Sequence, residues 1–158
     1  MAGPLSGVRV VEVANWTFVP AAGAVLADLG ADVIKVEPIA GDGMRMAATP
    51  FFGCQRGKRD LALNIKDPEG LELALALVRG ADVVHHNMTK GTAARLGLDY
   101  DACRAVNPAR CMAGSASGRG VSVSLGCGSW GRWCSHRGCA AGVRLVRCRG
   151  RLWRRSCR

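Results

Sequence analysis

Three observations predict an α/β fold with a partial, parallel, Rossmann-like sheet over residues 1–110. β-Branched runs alternate with helical apolar spacing, Gly and Pro punctuate the joins, and the first strand–helix–strand unit closes within about thirty residues. Val8-Arg9-Val10-Val11-Glu12-Val13 reads as a buried strand. Pro20 suits the first turn of a helix whose apolar positions are Ala21, Ala24, Val25 and Leu29, with Gly30 as its C-terminal glycine. Asp32-Val33-Ile34-Lys35-Val36-Glu37 is the second strand, and so short a crossover requires parallel pairing.

Pro38 to Gly43 has loop chemistry. Leu61, Leu63 and Ile65 alternate as in a half-buried strand. Asp67, Pro68 and Glu69 supply the N-cap, first-turn Pro and early acid of a helix that buries Leu71, Leu75 and Val78 and closes at Gly80. Ala81-Asp82-Val83-Val84 is the next strand, with His85-His86-Asn87 as its exit. Short helices follow around Thr92 to Leu96 and after the cap Asp99. Open α/β sheets bind ligands beyond the carboxyl ends of their strands, which selects residues 15–18, 38–43 and 85–90.

Composition divides the chain in two. The formal net charge of +10 resides entirely in the last third: residues 110–158 hold 11 Arg and no acid, whereas residues 1–109 hold 11 Lys and Arg against 12 acids. Six of the eight Cys also fall after residue 110. After Arg110 there is no Lys, Asp, Glu, Asn, Gln, Ile, Phe, Tyr, Thr or Pro, and no sustained helical or alternating period. That Arg/Cys/Gly-rich composition is what a shifted reading frame in GC-rich coding DNA yields, and a disordered tail is expected over residues 111–158. Cys127, Cys134, His136 and Cys139 could be drawn as a zinc set, but the spacing fits no common finger and no metal site is assigned. Eleven Arg with Trp130, Trp133 and Trp153 would adhere to polyanions; a basic nucleic-acid-binding protein is therefore the rival non-enzyme reading, though no specific nucleic acid is expected. No stretch approaches a membrane span or a signal peptide, and a cytoplasmic location is the default.

Four stretches in order resemble the N-terminal third of the family III CoA-transferases: PLSGVRVVEV, LADLGADVIKVEP, GKRDLALNIKDPEG, and ADVVHHN followed by RLGLDYDACRAVNP. The resemblance falters at Ser115-Ala116-Ser117-Gly118-Arg119-Gly120, where Arg119 replaces the aromatic of an SxSGFG-like turn. It implies transfer of CoA between an acyl-CoA and a carboxylic acid through attack of a carboxylate on the thioester. The alpha-methylacyl-CoA racemase branch, which moves a proton beside the thioester, is the enzymatic alternative.

The resemblance also implies site residues. Thr17 belongs to the crevice after the first strand, Lys58 and Arg59 to a basic pair meeting CoA phosphates, Asn87 and Met88 to the lining of the CoA site, and Arg95 to a further cation near the nucleotide. CoA and acyl-CoA enter as substrates, with no permanently bound cofactor. The whole enzyme is expected to be an interlocked homodimer. No catalytic residue is assigned, because the family's nucleophilic Asp lies beyond the SxSGFG-like turn and no acid follows Asp101 here; the chain alone is expected to be inactive.

Overall fold

A computed structural model describes residues 3–108, with their side chains except that of Lys90, and the backbone of residues 111–115 and 121–125. Strand β1 (Arg9–Val13) leads through α1 (Phe18–Asp28) to β2 (Asp32–Glu37). A 3-10 turn (Gly43–Met46) and α2 (Ala48–Gln55) precede β3 (Arg59–Ala62). α3 (Pro68–Arg79), β4 (Val83–His86), α4 (Lys90–Arg95) and α5 (Tyr100–Val106) complete the alternating part. β5 (Cys111–Ser115) and β6 (Val121–Leu125) continue the sheet past residue 110.

The six strands run in the order β3-β2-β1-β4-β5-β6, parallel except for the antiparallel β5–β6 pair. Strand order therefore reverses direction between β1 and β4, the switch point at which open α/β sheets place ligands. β1 lies at this centre and its last four residues are buried, so both of its faces are covered. Val11 and Val13 join Val36, Leu63, Ala74, Val78, Val84 and Leu98 in the larger core, where α3 packs. Val10 and Val33 point the other way, against Leu26 and Ala27 of α1.

Local signals explain most boundaries. Gly30 ends α1 at a φ of 95°, a left-handed value that favours glycine, and its N–H bonds the carbonyl of Ala27. Asp99 caps α5 by accepting from Ala102 N at 3.1 Å. Asp67 occupies the N-cap of α3, but its carboxylate accepts from the Asn64 amide at 2.5 Å and makes no cap bond.

Three expectations need correction. His85 and His86 are buried members of β4, only 6% and 8% exposed, because the strand begins two residues later than its apolar run suggests. β3 ends at Ala62, so the alternating Leu63 and Ile65 belong to its exit. The 3-10 turn and α2 follow the expected Pro38–Gly43 loop in a stretch to which the sequence assigns no element; the helix holds Pro50 and Gly53 and has little apolar periodicity to announce it. Of the tail expected to be disordered over residues 111–158, residues 111–115 and 121–125 form β5 and β6; its other residues, with the zinc set and the turn beyond Ser115, lie outside the described residues.

Candidate functional site

Beside α1 the sheet carries a row of buried charge. Register sets Lys35 of β2, Glu12 of β1 and His85 of β4 side by side, and alternation along each strand turns all three to one face. Glu12 is completely buried. Both its carboxylate oxygens lie 2.8 Å from the Lys58 ammonium, and His85 Nε2 is 2.9 Å from Oε2. Lys58 also donates to the carbonyl of Pro20 at 2.7 Å, which ties the network to α1. Burial lowers the pKa of Lys58, and the Glu12 carboxylate only partly offsets that shift. Gly23 of α1 makes room for the pair: a Cβ there would sit 2.0 Å from Glu12 Oε2.

Lys35, itself fully buried, donates to Asp42 Oδ2 at 2.6 Å. Asp42 is 2% exposed and accepts from Trp16 N at 3.2 Å and Met44 N at 2.9 Å, while its own N–H donates to Glu37 Oε2 at 3.2 Å. Burial pushes its pKa up, but Lys35 and the two amides outweigh that and hold it below the usual carboxylate value. Glu37 is bound in turn by Arg45, whose guanidinium lies 4.7 Å above the Phe51 ring.

At the carboxyl ends of the strands a cleft of about 320 Å³ opens. Each parallel strand from β1 to β4 contributes to it through its exit: Asn15 after β1, Pro38 after β2, Ile65 and Lys66 after β3, Asn87 and Met88 after β4. Thr92 and Leu96, at and after α4, close one side. The floor is apolar, with Val13, Val36 and Leu63 beneath. Asn87 is held by its main-chain neighbour across the cleft, donating to Asn15 O at 2.6 Å and accepting from Asn15 N at 3.3 Å. Met88 N donates to His86 Nδ1 at 3.1 Å, so that nitrogen is unprotonated. Burial, aided by the neighbouring His85, lowers the His86 pKa. The buried Asn15 Oδ1 has no hydrogen-bond partner within the described residues.

The cleft draws residues from all three segments that the strand-end rule selects, and it brings Asn87 and Met88 together. Arg95 is exposed on α4 between the lining residues Thr92 and Leu96, and donates to Thr92 Oγ1 at 3.3 Å. Thr17 lies outside the lining, exposed at the start of α1, with its hydroxyl 3.6 Å from Met44 Sδ. Lys58 is turned inward to Glu12 with no exposed side-chain surface. Arg59 stands at the opposite end of β3 from the cleft and pairs with Asp32, at 2.6 Å to Oδ1. Asn15 falls in the selected segment 15–18, whereas sequence reasoning missed Lys66. Lys66 directly follows the alternating Leu61, Leu63 and Ile65, so the strand-end rule applied to that run would have found it.

The strand order places this chain among the open α/β sheets, with a cleft at the carboxyl ends of its parallel strands. Residues 5–120 match the model of CoA-transferase family III, and the chain belongs to that family. It is 42% identical over 120 residues to succinate–glutarate CoA-transferase of Agrobacterium fabrum, covering 66% of this chain and 30% of that protein. It is 38% identical over 107 residues to the human succinyl-CoA:glutarate CoA-transferase, covering 62% of this chain and 24% of that one. Among solved structures, a CaiB/BaiF family protein from Brucella suis superposes with a TM-score of 0.69 at 39% identity, over 72% of this chain and 33% of that one. The chain thus spans a third or less of the length of these relatives. Among the described residues no helix is long and apolar enough to cross a membrane.

Proposed function

We propose that the strand-end cleft binds the CoA portion of an acyl-CoA, as part of an enzyme that transfers CoA between an acyl-CoA and a carboxylic acid. The observation that carries this reading is the cleft itself: an apolar floor at the switch point and a lysine on its rim. CoA matches both features. Its phosphates suit the exposed Lys66 and Arg95, and its apolar segments suit Ile65, Met88 and Leu96. Neither Lys66 nor Arg95 is committed to an ion pair among the described residues, in contrast to Lys58 and Arg59. Thr17, at the N-terminus of α1 and two residues after the cleft-lining Asn15, is retained in this reading as a contact for a ligand that extends beyond the cleft.

In this reading Lys58 and Arg59 stabilise the sheet and do not bind phosphate. Binding without transfer is the proposed behaviour of the chain alone, since no carboxylate follows Asp101 to serve as the nucleophile the family resemblance expects. The transfer step and the interlocked homodimer are proposed for the whole enzyme; this chain spans 30% of the Agrobacterium fabrum relative. Succinate and glutarate, named for the relatives, are the first acids to test.

The test is calorimetric titration of the chain with coenzyme A, together with an assay of CoA exchange from succinyl-CoA to glutarate. Saturable binding with no exchange is the expected result. Exchange at a rate proportional to protein, abolished by no substitution in the cleft, would overturn the assignment.

A further inference from the structure

The buried pair Lys35–Asp42 has no place in a ligand contact list, since neither side chain lines the cleft. Its cost is considerable: an ammonium with no exposed surface and a carboxylate only 2% exposed are withdrawn from water together. A pair of apolar side chains would fill the same space with less desolvation. What the pair does achieve is seen in the bonds of Asp42. Its Oδ1 holds the N–H of Trp16, the residue after cleft-lining Asn15, and its own N–H holds Glu37, which lines the opposite wall. Asp42 therefore fastens the β1 exit to the end of β2, its carboxylate holding Trp16 and Lys35 and its main-chain N–H holding Glu37.

Trp16 needs such a restraint. Its φ of 67° makes it the one non-glycine residue with a left-handed backbone among the described residues, a conformation that costs an L-residue about 1–2 kcal/mol. Its indole is 64% exposed, so side-chain packing in this chain does not hold it there. The indole does lie against Gly43, where a Cβ would meet Cζ2 at 3.6 Å, but this contact depends on the same Asp42 turn. Trp16 follows Asn15 directly, so its kink fixes the course of the backbone where it leaves the cleft wall.

We propose that Lys35 and Asp42 are positioning residues for ligand binding: the Lys35 ammonium orients the Asp42 carboxylate, and that carboxylate holds the strained Trp16 amide so that the Asn15 wall of the cleft is formed before ligand arrives. Ligand binding here rests on the CoA reading above; the pre-formed loop does not. Pre-organisation of this kind raises affinity by sparing the ligand the cost of ordering the loop.

Two readouts on the full chain test it. The first is amide hydrogen exchange, with no ligand present. In the wild type, the Trp16 amide is expected to exchange at least ~100-fold more slowly than an open loop amide. Asp42→Ala is expected to speed Trp16 and Met44 exchange at least ~10-fold while Val11 and Val33 in the sheet keep their protection. Asp42→Asn keeps an acceptor oxygen for both amides but turns an amide N–H2 toward the Lys35 ammonium, and is expected to restore only part of the lost protection. The second readout is titration with coenzyme A: Asp42→Ala is expected to weaken binding ~10-fold, and Asp42→Asn less.

An unprotected Trp16 amide in the wild type overturns the proposal without any variant, and remains decisive if Asp42→Ala fails to fold. Unchanged Trp16 exchange in Asp42→Ala also overturns it, as does faster exchange with CoA affinity unaltered. If the wild type binds no CoA while Trp16 behaves as expected, the CoA reading fails and the restraint on the loop stands.

Discussion

The side chain of Asn87 and the main chain of Asn15 clasp each other at two points, Nδ2 to O at 2.6 Å and N to Oδ1 at 3.3 Å. The clasp joins the exits of β1 and β4, which lie on either side of the switch point, and both residues line the cleft. A residue that the family resemblance selects as a ligand contact is thereby also a structural tie.

Replacing Asn87 with Ala removes both bonds and strands a partly buried carbonyl and amide of Asn15. A loss of about 1–2 kcal/mol in unfolding free energy is expected, measured by urea denaturation. Asn87→Asp retains the acceptor for Asn15 N but sets a carboxylate against Asn15 O, so it is expected to be no better than Ala.

Gly23→Ala tests the buried charge from the helix side. On propensity alone the change stabilises a helix by about 1 kcal/mol. Here the new methyl meets Glu12 Oε2 at 2.0 Å and Lys58 Nζ at 2.9 Å, and the neighbours are a fixed ion pair. The steric term is expected to win, with a net loss of roughly 1–3 kcal/mol in thermal or chemical unfolding.

Glu12→Ala leaves the Lys58 ammonium buried against a lone carbonyl and removes the carboxylate 4.0 Å from Lys35. Breaking such a pair costs about 3–5 kcal/mol, a large share of a small domain's stability. Loss of a cooperative unfolding transition is the expected result, read by circular dichroism. An intact transition near the wild-type midpoint would show that the row of charge is not buried as described.

His86 supplies a pH dependence. Its folded-state pKa lies below the ordinary value of 6.5, because burial and His85 disfavour the cation. The unfolded chain therefore binds the proton first as pH falls. This contribution to stability is complete above 6.5 and is lost as pH drops through the folded-state value. The urea midpoint is expected to fall between pH 7.5 and 5.5 more steeply in the wild type than in His86→Gln.

How much of this was legible in the residues follows from what each signal encodes. Alternation and caps report local geometry, so β2, α3 and the Asp99 cap of α5 were read from the sequence with little displacement. Strand ends were less secure, because the register that starts β4 at Val83 and stops β3 at Ala62 is set by pairing with β1 and β2. The two-residue displacement of β4 hid His85 and His86 in the core. The basic pair illustrates the same limit. Lys58 and Arg59 are adjacent in sequence, yet one ammonium is sealed against Glu12 and the other cation lies at the strand's far end with Asp32. A charged dipeptide carries no sign of which direction its members face. The 3-10 turn and α2 were silent for a different reason, having neither strong periodicity nor side-chain caps on the helix itself.

The most direct test of the cleft as the CoA site is calorimetric titration of coenzyme A into the wild type, Lys66→Ala and Arg59→Ala. Saturable binding to the wild type is expected, weakened about 10-fold by Lys66→Ala and changed by less than about twofold by Arg59→Ala, since only the former cation faces the cleft. No binding to the wild type, or a loss produced by Arg59→Ala and not by Lys66→Ala, would contradict it.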